Sequence, residues 1–196
     1  MKRKSPGKAL IFISVFAVIL VGLFFYLSNR TKEVADGSNR MMTDVEKVLS
    51  RNLETNYPAT PKEVLKYYSE ITRCFYSEKY SDEELEKLAQ KSRQLFDAEL
   101  LFNQTDEQYL HALQADIASY KEDGKVISSY SVSSSTDVQE YSYGGYEWAQ
   151  LYCIYNIRVK TQIMPIQERF LLRRDEKNHW KIVGWDMAPK EEAKVE

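Results

Sequence analysis

The sequence has few of the residues on which metal, nucleotide or covalent chemistry depends. Its 196 residues include two histidines and two cysteines, which lie at His111, His179, Cys74 and Cys153. Their separations match no zinc-ligand spacing, and no phosphate-binding glycine loop, dinucleotide fingerprint or nucleophile elbow occurs. The sequence therefore predicts no catalytic residue, no cofactor and no metal site. We interpret both histidines as solvated surface residues.

An excess of charge of one sign is lacking as well. The formal net charge is −2, from 27 basic and 29 acidic side chains. A protein that binds nucleic acid usually presents a strongly basic surface. We therefore expect no nucleic-acid partner.

Long hydrophobic runs are absent except for one, residues 9–27, which begins at Ala9 and ends at Leu27. As a helix it would span about 28 Å, close to the thickness of a bilayer's hydrocarbon layer. A cleaved secretory signal has a shorter apolar region followed by small residues, whereas this run ends on Tyr26 and Leu27. We therefore predict an uncleaved transmembrane helix, with the lipid bilayer as its partner.

Basic residues predict the orientation of this helix. Lys2, Arg3, Lys4 and Lys8 precede it, and positive charge favours the cytoplasmic side of a membrane. We expect a single-pass protein of the cell membrane, with a cytoplasmic N-terminus and the C-terminal domain outside.

The chain pattern predicts five parts. These are a basic tail (1–8), the transmembrane helix (9–27), a linker with a juxtamembrane helix (28–59), an α+β domain (60–188) and a disordered tail (189–196). The juxtamembrane helix carries an apolar stripe that includes Val45, Val48 and Leu53. This stripe either packs on the domain or forms an oligomerisation stalk near the bilayer.

Capping boxes mark the starts of four predicted helices. In this motif a Ser or Thr side chain accepts from the third helical amide, while an acid or Gln reaches back. The pairs are Thr43 with Glu46, Thr60 with Glu63, Ser81 with Glu84, and Thr105 with Gln108. The third predicted helix runs without a break from Asp82 to Asn103.

From Lys125 onward the apolar period changes to two, which is typical of strands. One alternation contains Val126, Tyr130 and Val132, and the next strand sends one side of its residues inward: Ala149, Leu151, Cys153, Tyr155, Ile157 and Val159. The pair Gly144-Gly145 predicts a hairpin, and the polar run "DEKN" predicts a second one. Helices followed by a meander of strands indicate an α+β fold, with helices packed on a curved antiparallel sheet.

The final strand, "HWKIVGWDM", completes the predicted core. We expect Trp180 and Ile182 to point inward with Phe170 and Leu172 of the preceding strand. Strict alternation places Trp185 on the opposite face.

Three helices, then long strands ending in "HWKIVGWD", resemble the nuclear transport factor 2-like, or cystatin-like, superfamily. The resemblance implies a cone-like sheet wrapped around a helix. Its candidate pocket lining is Leu151, Tyr155, Trp180 and Ile182, which a filled core would also use. A domain of this kind behind one N-terminal span is also similar to surface proteins of Gram-positive bacteria.

Three further features have alternative interpretations. The aromatic cluster Tyr141, Tyr143, Tyr146 and Trp148 forms either a contact platform for a sugar or peptide or a set of cross-strand pairs. Asp97 with Glu99, like Arg173 with Arg174, is interpreted as solvated surface charge. The two cysteines are either buried thiols or a disulfide.

These observations favour a non-enzymatic, membrane-anchored extracytoplasmic domain that binds a protein or a component of the cell envelope. The alternative is a tethered cone domain that binds a small molecule or catalyses a reaction. The two hypotheses differ in whether the interior is filled, or open with a buried polar group.

Overall fold

All four capping boxes are present in the computed structural model, which describes residues 41–188. The helices are α1 (Asp44–Ser50), α2 (Pro61–Ser77), α3 (Asp82–Arg93), α4 (Ala98–Phe102) and α5 (Asp106–Glu122). The hydroxyls of the four Ser or Thr caps accept from the third helical amide at 3.1 to 3.2 Å. The predicted basic tail (1–8), the transmembrane helix (9–27), most of the linker and the C-terminal tail (189–196) lie outside the described residues. Within residues 41–188 no helix is long and apolar enough to cross a membrane.

The third helix differs from its prediction, because it ends at Arg93. The amide of Ile182 donates to the Leu95 carbonyl at 2.8 Å, and the amide of Asp97 donates to the Ile182 carbonyl at 2.8 Å. The chain therefore leaves the helix to pair briefly with a strand edge. Asp97 then caps α4 by accepting from the Glu99 amide at 2.9 Å. Tertiary pairing overrides local helix propensity at this point.

The strands form one antiparallel sheet. They are β1 (Lys125–Val132), β2 (Gln139–Tyr143), β3 (Tyr146–Val159), β4 (Gln162–Arg174) and β5 (Trp180–Met187). The order is β1-β3-β4-β5, with β2 beside the first half of β3 and β1 beside its second half. Both predicted hairpins are confirmed. Gly144 and Gly145 have φ of 61° and 83°, as a tight two-residue turn requires.

The inner face of the sheet packs on α2 and forms the core. The predicted inward residues of β3 are buried from Ala149 to Ile157, and Val159 is half-buried. Phe170, Leu172, Trp180 and Ile182 are buried on the same face, as predicted. The architecture is thus α+β, with helices on a curved antiparallel sheet.

A β-bulge in β5 reverses the predicted direction of Trp185. Leu171 pairs with Gly184 and Leu172 pairs with Ile182, so Val183 is the extra residue. One additional residue moves every later side chain to the other face. Trp185 therefore lies opposite Phe170 on the inner face, 5.8 Å between ring centroids. The prediction that it lies on the outer face is wrong.

A second bulge lies in β1, and the alternation predicted for this strand is therefore wrong at Val126. Ile127 pairs with Ile157, whereas Ser129 pairs with Asn156, which leaves Ser128 as the extra residue. Ile127, not Val126, therefore shares the inner face with Tyr130 and Val132, because the bulge changes the parity between them.

Helix α1 belongs to the folded unit, which begins at Thr43. Its apolar stripe packs against α2 and α3, and Val45 is 1% exposed. The boundary expected at residue 60 is therefore too late. Burial of the stripe within one chain also removes the stalk hypothesis, which required an exposed stripe.

The two cysteines are buried and are not joined to each other. Burial raises the pKa of Cys74 to about 12 and that of Cys153 to about 11. Both are therefore neutral thiols packed in the core.

Candidate functional site

An open cavity of about 290 Å³ lies between α2, α5 and the inner face of the sheet. Its lining consists of Tyr68, Thr72 and Tyr76 of α2, Asp116 and Tyr120 of α5, and Ile127, Tyr155, Ile157, Ile166, Glu168 and Trp185 of the sheet. We call this space the Glu168 cavity. A second cavity, of about 280 Å³, adjoins it toward α3 and α4 and shares five lining residues with it.

Glu168 is the polar group of this cavity. It pairs with Cys153 in the β3–β4 ladder, so its side chain lies on the inner face with Phe170. Among the described residues no hydrogen bond or ion pair to its carboxylate occurs. Burial raises the pKa of Glu168 to about 7, because the charged form is poorly solvated there.

A carboxyl group with this pKa changes its charge close to neutral pH. Once ionised, it accepts hydrogen bonds or balances a positive charge, and in its neutral form it can donate one hydrogen bond. Groups with displaced pKa values in a cavity are frequent at functional sites.

The floor of the Glu168 cavity is held by buried hydrogen bonds. The Ser69 hydroxyl lies 3.0 Å from the Tyr155 hydroxyl and 3.3 Å from the Cys153 sulfur. Both residues of β3 are thereby fixed to α2. The Tyr155 hydroxyl is engaged, so the residue contributes mainly its ring to the lining.

Aromatic rings make up much of the wall. The Trp185 ring lies 5.6 Å from Tyr68 and 5.9 Å from Phe96, measured between centroids. Tyr76 and Tyr120 are 4.4 Å apart, and the Tyr76 hydroxyl donates to Asp116. The wall is therefore pre-formed by contacts within the protein.

Comparison with known protein families gives one match. A family model described as a domain of unknown function, DUF6715, matches residues 1–185. The chain belongs to the DUF6715 family. No curated protein matches the sequence. The description of this family assigns no activity to it.

The candidate pocket residues of this DUF6715 domain fall into two groups. Leu151, Trp180 and Ile182 are packed in the core and do not line the Glu168 cavity. Tyr155 does line it, at the boundary between core and open space. The space beside Leu151, Trp180 and Ile182 is thus filled, and the space beside Tyr155 and Glu168 is open.

Glu168 itself was not among the candidate residues. Its signal in the sequence is its parity: in "ERFLLRR" it stands two residues before Phe170 and four before Leu172. A strand that alternates strictly places these three side chains on one face. A carboxylate on the core-facing parity is unusual, and this could have identified it.

The aromatic cluster of the DUF6715 domain has features of both interpretations. Tyr141, Tyr143 and Tyr146 are 46%, 74% and 50% exposed. Trp148 pairs across the hairpin with Tyr141 and donates to the Tyr143 carbonyl at 2.9 Å. The Arg173 guanidinium lies 4.8 Å from the Tyr146 ring. The cluster is therefore braced internally and still presents rings to solvent.

The prediction of solvated charge is wrong for Asp97 and Arg173, whereas Glu99 is exposed and Arg174 is half-buried. Asp97 is 4% exposed and holds the Arg173 guanidinium at 2.6 and 3.2 Å. Glu99 contacts the same guanidinium at 2.9 Å, and Arg174 pairs with Glu147. The break after Arg93 brings the two carboxylates to β4, which helix spacing alone did not indicate.

The histidines lie away from the Glu168 cavity. His111 is exposed on α5. His179 stacks on Tyr57 at 4.2 Å, beside a larger, open depression of about 780 Å³ next to the β4–β5 turn. That depression contains the Arg173 and Asp97 pair, whose charges balance each other. Residues 41–188 hold no group of three potential ligands that could bind a metal ion.

Proposed function

We propose that this domain binds a small organic molecule in the Glu168 cavity. The observation that carries the proposal is an open, aromatic cavity with one unpaired, half-buried carboxyl group. Binding sites for small molecules are typically concave and apolar, with a few convergent polar groups that orient the ligand. This observation supports the small-molecule alternative rather than a domain with a completely filled interior.

The two adjoining cavities are suited to a ligand of modest size. Each has slightly less than the volume typical of drug-sized pockets, roughly 300 to 1,000 Å³. A ligand of a few heavy atoms would occupy the Glu168 cavity, and a larger one would extend past Trp185 toward α4. Trp185 is 40% exposed and lies at the boundary of both.

Fluorine NMR on the full-length chain tests this proposal. The protein has three tryptophans, so labelling with 5-fluorotryptophan gives three resonances, assigned by single Trp→Phe variants. In maltoside detergent, a panel of neutral, anionic and cationic fragments is added. We expect at least one fragment to shift the Trp185 resonance and to leave that of Trp180 unchanged.

A matched pair of variants locates the binding site. Ile166→Phe places a larger side chain in the cavity wall and should abolish the shift, while Ile163→Phe on the exposed end of the same strand should retain it. The proposal fails if no fragment shifts Trp185, or if both variants respond alike.

We also propose that the fold is of the nuclear transport factor 2-like kind and that the domain is tethered outside the cell membrane. The order of helices and strands supports the first proposal, and the apolar run at residues 9–27 with its basic flank supports the second. A C-terminal alkaline phosphatase fusion should be active in bacterial cells, since this enzyme folds only outside the cytoplasm. An inactive fusion would contradict the tethered topology.

The aromatic cluster carries a second candidate function, contact with a protein or envelope component. Its three exposed tyrosines are the supporting observation, because exposed aromatic side chains are enriched at interfaces. Tyr143→Ser should weaken cross-linking of the full-length chain to its neighbours in cells, whereas Glu86→Gln on the exposed side of α3 should not. Unchanged cross-linking in Tyr143→Ser would contradict this function.

A further inference from the structure

The charge of the Glu168 cavity has one sign. Two of its lining residues, Glu168 and Asp116, carry carboxyl groups, and none of the described lining residues is Lys, Arg or His. Asp116 accepts from the Tyr76 hydroxyl, which orients its carboxylate, and this neutral donor does not cancel its charge. An anionic ligand would be repelled from such a space.

The cavity wall has a complementary property. Tyr68, Tyr76, Tyr120, Tyr155 and Trp185 all line it, and the faces of aromatic rings carry partial negative charge. Aromatic cages of this composition attract ammonium groups, because a cation over a ring gains electrostatic energy that a neutral group does not.

From this combination of rings and carboxylates we infer that the ligand of the Glu168 cavity is an organic ammonium ion. The inference rests on the proposed function, since it specifies the ligand class of the same site. The ammonium group lies among the rings with Glu168 as its counter-ion, and the apolar substituents contact Ile127, Ile157 and Ile166.

The rim of the cavity already contains a cation contact. The Lys125 ammonium lies 5.6 Å from the centroid of Tyr120, and Asp123 neutralises it at 2.6 Å. It occupies one face of one ring only. The rings of Tyr68, Tyr155 and Trp185, which also line the cavity, have no such cation within the described residues. Glu168 likewise has no counter-charge.

The unpaired carboxylate supports the same ligand class. Burial without a partner raises the pKa of Glu168, because the ionised form loses solvation and gains nothing in return. A bound ammonium would supply the missing counter-charge. A neutral ligand would leave the ionised carboxylate uncompensated.

Choline and 3,3-dimethyl-1-butanol provide the decisive comparison. They have almost the same shape, but the alcohol has carbon in place of the charged nitrogen. Each is titrated into the full-length, 5-fluorotryptophan-labelled chain in maltoside detergent, and the Trp185 resonance is followed. We expect choline to bind at least about tenfold more tightly than the neutral alcohol.

Variants assign the preference to the carboxylate. Glu168→Gln keeps the shape and removes the charge, so the preference for choline should fall to about threefold or less. Glu86→Gln, an exposed change of the same chemistry on α3, should leave it unchanged. A choline preference that persists in Glu168→Gln would overturn the role of this residue.

The same titration distinguishes a lipid headgroup from a free amine as the ligand. It also distinguishes failure of the ammonium inference from failure of small-molecule binding as a whole. Glycerophosphocholine carries a phosphate beside the ammonium; tighter binding than choline would point to a lipid headgroup, and weaker binding to a free amine. If the neutral alcohol binds as tightly as choline, or only uncharged fragments shift Trp185, the ammonium inference fails and small-molecule binding stands. If no fragment shifts Trp185, both fail.

Discussion

The pH dependence of stability should reveal the unusual environment of Glu168. Its pKa is about 7 in the folded domain, against an ordinary value of 4.5. Between these pH values the unfolded chain loses the proton of Glu168 while the folded domain keeps it. The contribution of Glu168 to the free energy of unfolding must therefore fall as pH rises from about 4.5 to about 7, and it levels off above pH 7.

The size of the effect follows from the difference between the two pKa values. It corresponds to about 3 kcal/mol over the whole interval, since each pH unit contributes roughly 1.4 kcal/mol. For a domain of this length that is equivalent to about 6 to 12 °C in Tm. Glu168→Gln cannot ionise, so its stability relative to the parent protein should increase by this amount between pH 4 and pH 8.

Urea unfolding of the full-length chain at half-unit pH steps measures this difference. Other carboxylates titrate in both proteins and cancel when the two curves are subtracted. Glu86→Gln, subtracted in the same way, should give a flat line, because that side chain is exposed. A flat line for Glu168→Gln would refute the argument that burial governs this carboxylate. A difference that grows toward low pH would refute its sign.

Three other predictions concern the rest of the domain. Asp97→Ala leaves the Arg173 guanidinium, which is 13% exposed, without its main partner. Thermal unfolding should show that the free energy of unfolding falls by about 3 kcal/mol. A change below about 1 kcal/mol would contradict the paired geometry. Val45→Ala should cost about 2 kcal/mol in urea unfolding without altering the oligomeric state by light scattering, because α1 packs on its own domain; an altered oligomeric state would revive the stalk hypothesis. Cys74 and Cys153 should react with iodoacetamide at pH 8 only when urea unfolds the chain, as read by mass spectrometry, and rapid labelling of the folded protein would contradict their burial.

Local signals predicted much of the helical layout. Each capping box identifies the start of its helix from the local sequence, because the Ser or Thr and its partner are only three residues apart. The Gly144-Gly145 hairpin is local in the same way, since positive φ values suit glycine. The inward residues of β3 followed from strict alternation over a long strand.

Predictions that spanned a bulge or a helix break were wrong. The extra residues Ser128 and Val183 reverse the faces of the later residues in their strands, and neither has a local sequence marker. The end of α3 depends on hydrogen bonds to Ile182, which lies far along the chain. Such contacts form only when the whole domain assembles, so no local pattern reveals them.

The candidate site likewise has one feature that the sequence determined and another that depends on tertiary packing. The sequence by itself determined that Glu168, Phe170 and Leu172 share a face of β4, because side chains of a regular strand alternate with a period of two. Only the tertiary structure decided that Phe170 and Leu172 meet other side chains there while Glu168 faces an open cavity. The space that helices leave above a curved sheet depends on how distant elements pack together, and no single segment of the sequence contains that information.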